Sequence, residues 1–288
     1  MNYSMTGFAS ATRTLETLSI ALELRSVNNR YLDIQFRMPD EIRTQEPAMR
    51  EAISARVTRG KIECRINIST LAAGVATAKI NHTVLRQLAE WSDEIRSVIP
   101  SVRELGINDV LRWNGVLESS APAADTLHAT LRELLQQALA DFMASRAREG
   151  EKLKQFILQR TQQIELLRQQ VAPRIPAAIS AYEEKLAARL KEALGSQDDE
   201  RVRQEIVLFA NRIDVDEELS RLHTHLIEVE RILDKGGNVG KRLDFLMQEL
   251  HREANTLGSK AADAEISRTS IEIKILIEQM REQVQNLE

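Results

Sequence analysis

The strongest hydrophobic pattern in the chain lies between Arg212 and Lys260. Apolar residues recur there every three or four positions, before and after a glycine-rich segment from Gly236 to Gly240. This spacing predicts two amphipathic helices joined by a tight loop. The first apolar stripe comprises Leu208, Val215, Leu219, Leu222, Leu226, Val229 and Leu233, and the second comprises Leu243, Leu246, Met247, Leu250, Ala254 and Leu257.

Polar residues run beside both apolar stripes and not on the opposite, solvated face. They are Asp214, Glu218, Arg221 and His225 on the first helix, and Arg242, Glu249 and Glu253 on the second. If the helices pair as an antiparallel hairpin about Asn238, His225 lies opposite Leu250–Glu253. One imidazole and two or three carboxylates then converge at the rim of the apolar seam. The pattern therefore predicts a divalent-metal site, and a nitrogen and oxygen donor set suits Mn²⁺ or Zn²⁺ better than Ca²⁺.

The alternative interpretation of these charges is a network of ion pairs. In that network Asp214 and Glu218 pair with Arg221, whereas Glu249 and Glu253 pair with Arg242 and Arg252. Two features favour the metal site. Partial burial at the seam makes unpaired like charges costly unless a cation is present, and His225 lies on the same stripe. His223 and His251 fall elsewhere on their helices and are predicted at the surface.

The first 70 residues alternate between apolar and polar instead, which is typical of half-buried strands. Asn28 and Asn29 mark a turn, which predicts a hairpin between the two strands that flank it. The order of elements favours an α+β fold with a mixed or antiparallel sheet over a doubly wound parallel sheet. The predicted elements are a short strand within 1–11, strands at Leu18–Val27, Tyr31–Met38 and Ile62–Ile68, and a helix at about Glu41–Val57.

The middle of the chain is predicted to be mostly helical from Thr126 onwards, with breaks at Pro173 and Pro176. The last segment, Ala264–Leu287, has a near-heptad apolar spacing suited to a partner helix. Three domains are predicted: 1–125, 126–200 and 201–288. Before Thr126 the sequence indicates a linker at Ala72–Ala78, followed by a helix that is capped by Asn81 and ends near Ser97. A short helix capped by Asn108 and Asp109 and a loop at Gly115–Asp125 come next. Further along the chain, Gly195–Asp199 is predicted to end a helix.

Composition narrows the function classes. The net charge of −4 does not predict nucleic-acid binding by the whole chain, and an aromatic content of 4% does not indicate stacking of nucleic-acid bases on aromatic side chains. A single cysteine, Cys64, excludes an intrachain disulfide and a paired-cysteine zinc site. The sequence contains no Walker A loop, GxSxG elbow or Rossmann fingerprint, so no nucleotide cofactor is expected. Without a long apolar run or a signal peptide, we expect no membrane contact and a cytoplasmic location.

The N-terminal region is locally basic. Residues 1–80 hold eleven lysines and arginines against eight acidic residues. Such a surface can bind phosphates by releasing counterions. The alternative is a solvated face with local pairs such as Glu46 with Arg50. The residues concerned are Arg25, Asn28, Asn29 and Arg30 near the predicted turn, and Arg50, Arg56, Arg59, Lys61 and Arg65 on the following helix and strand.

Several long motifs resemble those of the bacterial YicC/YloC-like proteins, and together they cover the whole length of the chain. The motifs are Ser4–Phe8, Glu23–Asp33, Arg59–Glu63, Arg212–Asp214, Glu217–Glu218, Arg221–Leu222, His225, Gly240–Phe245, Gln248–Thr256 and Ile277–Glu288. The resemblance implies a stress-associated endoribonuclease that acts on single-stranded or small regulatory RNA. It implies dependence on a divalent metal, Mn²⁺ in the first place with Mg²⁺ or Zn²⁺ as alternatives. It also implies a homo-oligomeric ring, expected to be a hexamer, with RNA in a basic channel.

These expectations give a hypothesis for the site. Glu218, His225, Glu249 and Glu253 would hold the metal, with Asp214 and Asp244 as outer ligands or bases. The ion would activate water or polarise the scissile phosphate. The alternative function is a non-catalytic, oligomeric RNA-binding adaptor that modulates another ribonuclease. Residues expected to bind RNA phosphates are Arg25, Asn28, Arg30, Arg59, Lys61, Arg221, Arg242, Arg252 and Lys260.

Overall fold

The computed structural model describes residues 1–71, 79–118, 124–194, 199–261 and 264–288. The chain divides into two compact units, and both are discontinuous in sequence. One unit, the helical unit, comprises Met1–Gly7, Val27–Arg30 and Met143–Glu288; the other, the sheet unit, comprises Phe8–Ser26 and Tyr31–Phe142. The α+β fold class is confirmed. The domain boundaries at 125 and 200 stay a prediction.

The sheet unit contains four strands in the order β1-β2-β4-β3. β3 and β4 run parallel, with Leu32 beside Gly60 and Arg37 beside Arg65. β1 and β2 are joined by three residues only, too few for a parallel crossover, and are therefore antiparallel. The amide of Leu71, after β4, donates to the carbonyl of Thr17, before β2, over 2.9 Å, so β4 is antiparallel to β2. The predicted mixed sheet is confirmed, with strands β1 Gly7–Thr14, β2 Leu18–Val27, β3 Leu32–Arg37 and β4 Gly60–Thr70.

The period-two alternation gives this sheet one buried face. Ile20, Leu22 and Leu24 of β2 and Ile62 of β4 are fully buried. A 3₁₀ helix at Asp40–Gln45 and α1 at Glu46–Ser54 connect β3 to β4, and their Ile42, Met49 and Ile53 are also buried. Burial raises the pKa of the Cys64 thiol on β4 to about 12. Because the thiol stays neutral, it is neither a nucleophile nor a metal ligand at neutral pH.

The predicted hairpin at Asn28 and Asn29 is wrong. β4 lies between β2 and β3, so the two strands that flank the turn do not pair. The side-chain amide of Asn28 donates instead to the carbonyl of Gln285 over 2.7 Å, within the helical unit. The turn residues indicate where the chain changes direction, but the parallel pairing of β3 with β4 decides which strands are neighbours.

A small second sheet pairs β5, Lys79–Ile80, with β6, Leu117–Glu118, antiparallel. Between them lie α2, His82–Val98, and α3, Ile107–Arg112. The cap of α2 is confirmed, since the Asn81 side chain accepts from the amides of Thr83 and Val84.

The cap of α3 differs from the prediction. Gly106 is the cap, and Asp109 lies one turn further on, where its carboxylate accepts from the Gly106 amide over 3.2 Å. The predicted linker at Ala72–Ala78 lies outside the described residues, as does 119–123 of the predicted loop.

The middle of the chain forms α4 Ala124–Val171, α5 Arg174–Leu194 and α6 Asp199–Ile213. Pro173 lies at the break between α4 and α5, as predicted. Pro176 does not interrupt a helix, because it lies in the first turn of α5, where a missing amide donor leaves no hydrogen bond unmade. The rings of Tyr182 and Phe209 stack at 3.8 Å. The predicted helix end at Gly195–Asp199 lies largely outside the described residues.

The predicted helical pair near the C-terminus is confirmed as α7, Asp216–Lys235, and α8, Gly240–Ser259. Their facing apolar residues form one core with buried residues of α4 and α9. Leu208 is not part of the stripe; it is 63% exposed, because α6 ends at Ile213 before α7 begins. The third helix, α9 at Ala264–Val284, packs on α8 through Ile266, Ser270, Ile273, Ile277, Met280 and Val284, the near-heptad positions.

The two ends of the chain are packed into the helical unit. The backbones of Tyr3 and Glu288 exchange hydrogen bonds of 3.1 and 2.8 Å. Arg146 of α4, only 1% exposed, donates through Nε to the Ser4 carbonyl and pairs with the Glu288 carboxylate. This pairing explains why residues 1–7 belong to the helical unit and not to the sheet that follows them. Among the described residues, no helix is both long and apolar enough to cross a membrane.

A charged cluster connects α4 to α7. The Glu165 carboxylate accepts two hydrogen bonds from Arg168, over 2.7 and 2.8 Å, and lies 3.2 Å from Nδ1 of His223. The guanidinium of Arg168, followed by smaller contributions from Gln169 and His223, lowers the pKa of Glu165 from 4.5 to about 2. His223 is exposed, as predicted, and its imidazole is paired with Glu165.

Glu165→Gln tests this cluster. Because its pKa is lowered in the folded state, ionised Glu165 stabilises the fold above its ordinary pKa of 4.5, and this contribution disappears as the pH falls towards about 2. We expect the variant to be less stable than wild type at neutral pH, and the difference in free energy of unfolding to shrink through the acidic range. Urea denaturation at fixed temperature measures it. Glu151→Gln, which loses only an exposed contact with Gln155, is the control; a pH-independent difference for Glu165→Gln would contradict the assignment.

Candidate metal centre

Three side chains converge at the edge of the seam between α7 and α8. Ligand atoms of His225, Glu249 and Glu253 all lie within 4.8 Å of one another. Glu249 and Glu253 occupy successive turns on one face of α8. Gly236 and Gly237 have φ angles of 65° and 88°, a conformation that suits glycine, and the loop they form turns α8 back along α7. The predicted opposition of His225 and Leu250–Glu253 is thus present.

Glu253 is the most buried of the three, at 3% exposed, whereas His225 and Glu249 are half-buried. Two carboxylates this close repel each other unless positive charge is near. Nη1 of Arg221 lies 3.5 Å from Glu253, and Nη1 of Arg252 lies 3.9 Å from Glu249. The imidazole of His225 makes no hydrogen bond to any residue in the described part of the chain, so both of its ring nitrogens are available.

The donor set fits a transition-metal ion. Zinc binds imidazole nitrogen and carboxylate oxygen at roughly 2.0–2.2 Å, so ligand atoms around one ion lie within about 4.4 Å of one another. The observed spread of up to 4.8 Å requires only small side-chain adjustments. Three protein ligands leave further positions for water or substrate, the arrangement of a catalytic centre and not of a closed structural one.

Glu218 does not join this group. It is 6% exposed, and Nζ of Lys260 lies 2.9 and 3.1 Å from its two oxygens. Glu218 precedes His225 by two helical turns, which separates them by about 10 Å along α7. The two residues lie on the same stripe of α7 but at different heights along its axis. Lys260, which was predicted to bind RNA, neutralises the carboxylate of Glu218 instead.

Asp214 and Asp244 also lie outside the group. Oδ1 of Asp214 accepts from the Asp216 amide over 3.1 Å at the start of α7. Oδ2 of Asp244 accepts from the Gln248 side chain over 3.0 Å, and Oδ1 lies 3.5 Å from Nε of Arg281. Asp244 precedes Glu249 by five residues, about 140° around α8, and so faces another direction.

The ion-pair interpretation is realised in part. Arg221 contacts both Glu253 and the exposed Glu217. Arg242 pairs with Glu228 at 3.3 Å and not with Glu249 or Glu253. Glu228 also accepts two hydrogen bonds from Arg231, which lower its pKa. Each carboxylate of the metal group therefore has one arginine near it, at the long end of the salt-bridge range.

The basic residues of the N-terminal region are divided between the two units. Arg25, Arg59 and Lys61 belong to the sheet unit, whereas Asn28 and Arg30 belong to the helical unit. Arg25 and Lys61 are exposed, and Arg59 is half-buried.

Arg25 lines a cavity of about 330 Å³ on the sheet, together with Phe8, Glu23, Glu63 and Arg65. Our sequence analysis assigned no role to Phe8 or Glu23. The alternation of β1 and β2, which places both on the polar face, was the available signal.

Comparison with known proteins places relatives along the whole chain. Residues 3–155 match the family described as endoribonuclease YicC-like, N-terminal region, and residues 169–288 match endoribonuclease YicC-like, C-terminal. A probable endoribonuclease YicC of Haemophilus influenzae is 42% identical over 288 residues, all of both chains. A second, of Clostridioides difficile, is 27% identical over 293 aligned positions, again covering both chains completely.

Arg221→Ala tests whether the buried carboxylate depends on its arginine. Without added metal, Glu253 would lose its counter-charge while remaining buried, and we expect the free energy of unfolding to fall by about 1–3 kcal/mol. Denaturation in EDTA measures the loss.

The matched control is Glu217→Ala, which removes only the exposed partner of Arg221 and should change stability by less than about 1 kcal/mol. Adding Glu253→Gln to Arg221→Ala should restore most of the stability. Equal stability of wild type and Arg221→Ala would mean that Glu253 does not need this pair.

Proposed function

Because this chain belongs to the YicC-like endoribonuclease family, we propose that it is a metal-dependent endoribonuclease acting on single-stranded or small regulatory RNA. The observation that carries the proposal is the convergence of His225, Glu249 and Glu253 at the seam of α7 and α8. An imidazole beside two carboxylates, one of them buried, is chemically suited to bind a divalent cation.

In this proposal the three converging residues are the metal ligands, and Mn²⁺ is the preferred ion, with Mg²⁺ or Zn²⁺ as alternatives. The bound ion would supply Lewis-acid activation of water or of the scissile phosphate. Glu218, Asp214 and Asp244 are left out of the ligand set, because Lys260, the start of α7 and Gln248 already engage them.

Arg221 and Arg252 would bind phosphate oxygens of the RNA next to the ligands. The side chain of Arg221 is 49% exposed and that of Arg252 is 69% exposed, although they lie within 4 Å of Glu253 and Glu249 respectively. If a cation neutralised the carboxylates, the guanidinium groups of Arg221 and Arg252 would be free to contact a phosphate, which each could hold with two parallel hydrogen bonds. The basic residues of the sheet unit would add contacts to the RNA backbone.

Two product chemistries are open to this site. Attack by water would leave a 5′-phosphate, whereas attack by the RNA 2′-hydroxyl would leave a cyclic phosphate. End-mapping of the products distinguishes them. A homohexameric ring is part of the same proposal, and the mass of the protein in solution tests it.

His225→Ala and Glu249→Ala test the proposed centre. Each removes one of three ligands, so we expect loss of Mn²⁺ binding by titration calorimetry and at least a roughly hundredfold loss of cleavage of labelled single-stranded RNA. EDTA should abolish cleavage by the wild type. The control is His251→Ala, because His251 is exposed and lies on α8, the helix of Glu249. This variant should cleave RNA normally.

A non-catalytic RNA-binding adaptor is the competing function. The contacts of Arg221 with Glu253 and of Arg252 with Glu249 favour it, since arginines alone would then neutralise the acids. RNA binding without cleavage in Mn²⁺, Mg²⁺ or Zn²⁺, together with unchanged binding by folded His225→Ala, would support the adaptor and contradict the nuclease.

A further inference from the structure

We propose that the open face of the four-stranded sheet binds one unpaired base of the RNA, with Phe8 as the stacking surface and Glu23 and Arg25 as the groups that recognise its edge. This inference rests on the proposed function in one respect, namely that the protein binds RNA. It adds a base-contacting site on the sheet unit to the phosphate contacts expected from charge alone.

The strands bring the site together from three neighbouring positions in the sheet. The cavity of about 330 Å³ is lined by Phe8 of β1, Glu23 and Arg25 of β2, and Glu63 and Arg65 of β4. β1, β2 and β4 are adjacent in the sheet order. All five residues lie on the face opposite to the buried Leu22, Leu24 and Cys64, as the period-two alternation requires. The volume lies at the lower end of the ~300–1,000 Å³ typical of ligand sites.

Phe8 is the unusual residue on this polar face. Its side chain is 55% exposed, although the apolar residues of the same strand, Ala9 and Ala11, are buried. An aromatic ring open to solvent and surrounded by arginines is the arrangement with which proteins stack unpaired bases, since every base offers a π face. A duplex would not fit this role, because its bases are already stacked and paired.

Some of the charged side chains around Phe8 have ion-pair partners in the protein, and others do not. Glu63 is engaged by Arg37 at 2.8 Å and by Arg65 at 3.2 Å. The side chains of Glu23 and Arg25, by contrast, make no hydrogen bond or ion pair with any other residue in the described ranges. The cavity therefore offers one free carboxylate, which accepts hydrogen bonds, and one free guanidinium, which donates them.

A free arginine beside a free carboxylate favours guanine, because bidentate arginine–guanine pairing is the commonest specific base contact of proteins with DNA. Guanine carries acceptors at O6 and N7, which an arginine can bind in a bidentate manner, and a donor at its N2 amino group, which a carboxylate can accept. Uracil lacks an exocyclic amino donor. Lys61, an exposed cation that shares this face of β4 with Arg65 but does not line the cavity, would contact a phosphate and not the base edge.

The experiment measures binding of the full-length protein to a fluorescent single-stranded uridine-rich RNA with one central guanosine. EDTA is present so that cleavage does not interfere. We expect Phe8→Ala and Phe8→Leu to weaken binding about fivefold or more, because leucine keeps the apolar area but lacks the π face. Phe8→Trp should bind at least as tightly as wild type. Trp113→Ala, which removes an aromatic ring exposed to 46% elsewhere in the sheet unit, should have no effect.

The same measurement with inosine in place of guanosine tests the edge contact, since inosine lacks the N2 amino group. Wild type should prefer guanosine, and Glu23→Gln should bind both RNAs alike. Circular dichroism checks that each variant is folded. Loss of binding in Phe8→Leu without a guanosine preference in the wild type would support the stacking and overturn the recognition by Glu23.

Normal RNA binding by folded Phe8→Ala and Phe8→Leu would overturn the whole inference while leaving the nuclease proposal intact, provided that the wild type still binds and cleaves RNA. Failure of the wild type itself to bind single-stranded RNA would overturn both. The two failures are therefore distinguishable in one set of titrations.

Discussion

Packing of α7 against α8 is the constraint on which the candidate centre depends. The apolar residues of both helices are buried in one core, so the rotation of each helix about its own axis is determined by hydrophobic contact. The acidic residues and His225 flank those apolar positions and are carried to the seam whether or not charge favours it. Glu253 is consequently buried at 3% exposure, a placement that a carboxylate tolerates only beside positive charge. The seam thus imposes a requirement that either an arginine or a metal ion can meet.

In the structure an arginine neutralises Glu253 only incompletely. At 3.5 Å, Arg221 is a distant partner for Glu253, and it is shared with Glu217 on the solvent side. Glu218, by comparison, has Lys260 within hydrogen-bonding distance of both oxygens. The two buried acids of the seam therefore differ in how well the protein itself neutralises them. In the proposed function, Glu218 has a structural role because Lys260 neutralises it, whereas Glu253 remains available to bind a cation.

Much of this arrangement could be predicted from the sequence, and the exceptions have physical causes. A stripe at helical spacing defines a face of a helix, so the convergence of His225 with Glu249 and Glu253 was accessible. The stripe does not show how far apart its residues lie along the helix axis, so it grouped Glu218 with His225 although they are about 10 Å apart along α7. Asn28 and Asn29 indicated a turn but not its partners. The alternation gave Phe8 no role of its own, because a single exposed aromatic does not disturb the pattern of a strand whose other residues are small or polar.

The order of strands in the sheet has a consequence for synthesis on the ribosome. β4, the last of the four strands to emerge, occupies an interior position between β2 and β3. Until residue 70 has left the exit tunnel, the nascent chain can close only the β1–β2 pair, while β3 lacks its neighbour and keeps an unpaired edge. Completion of this sheet is thus delayed by more than thirty residues of translation after β3 has appeared, roughly two to seven seconds at typical elongation rates. During that interval the unpaired edge of β3 is the part of the nascent chain that a chaperone would protect.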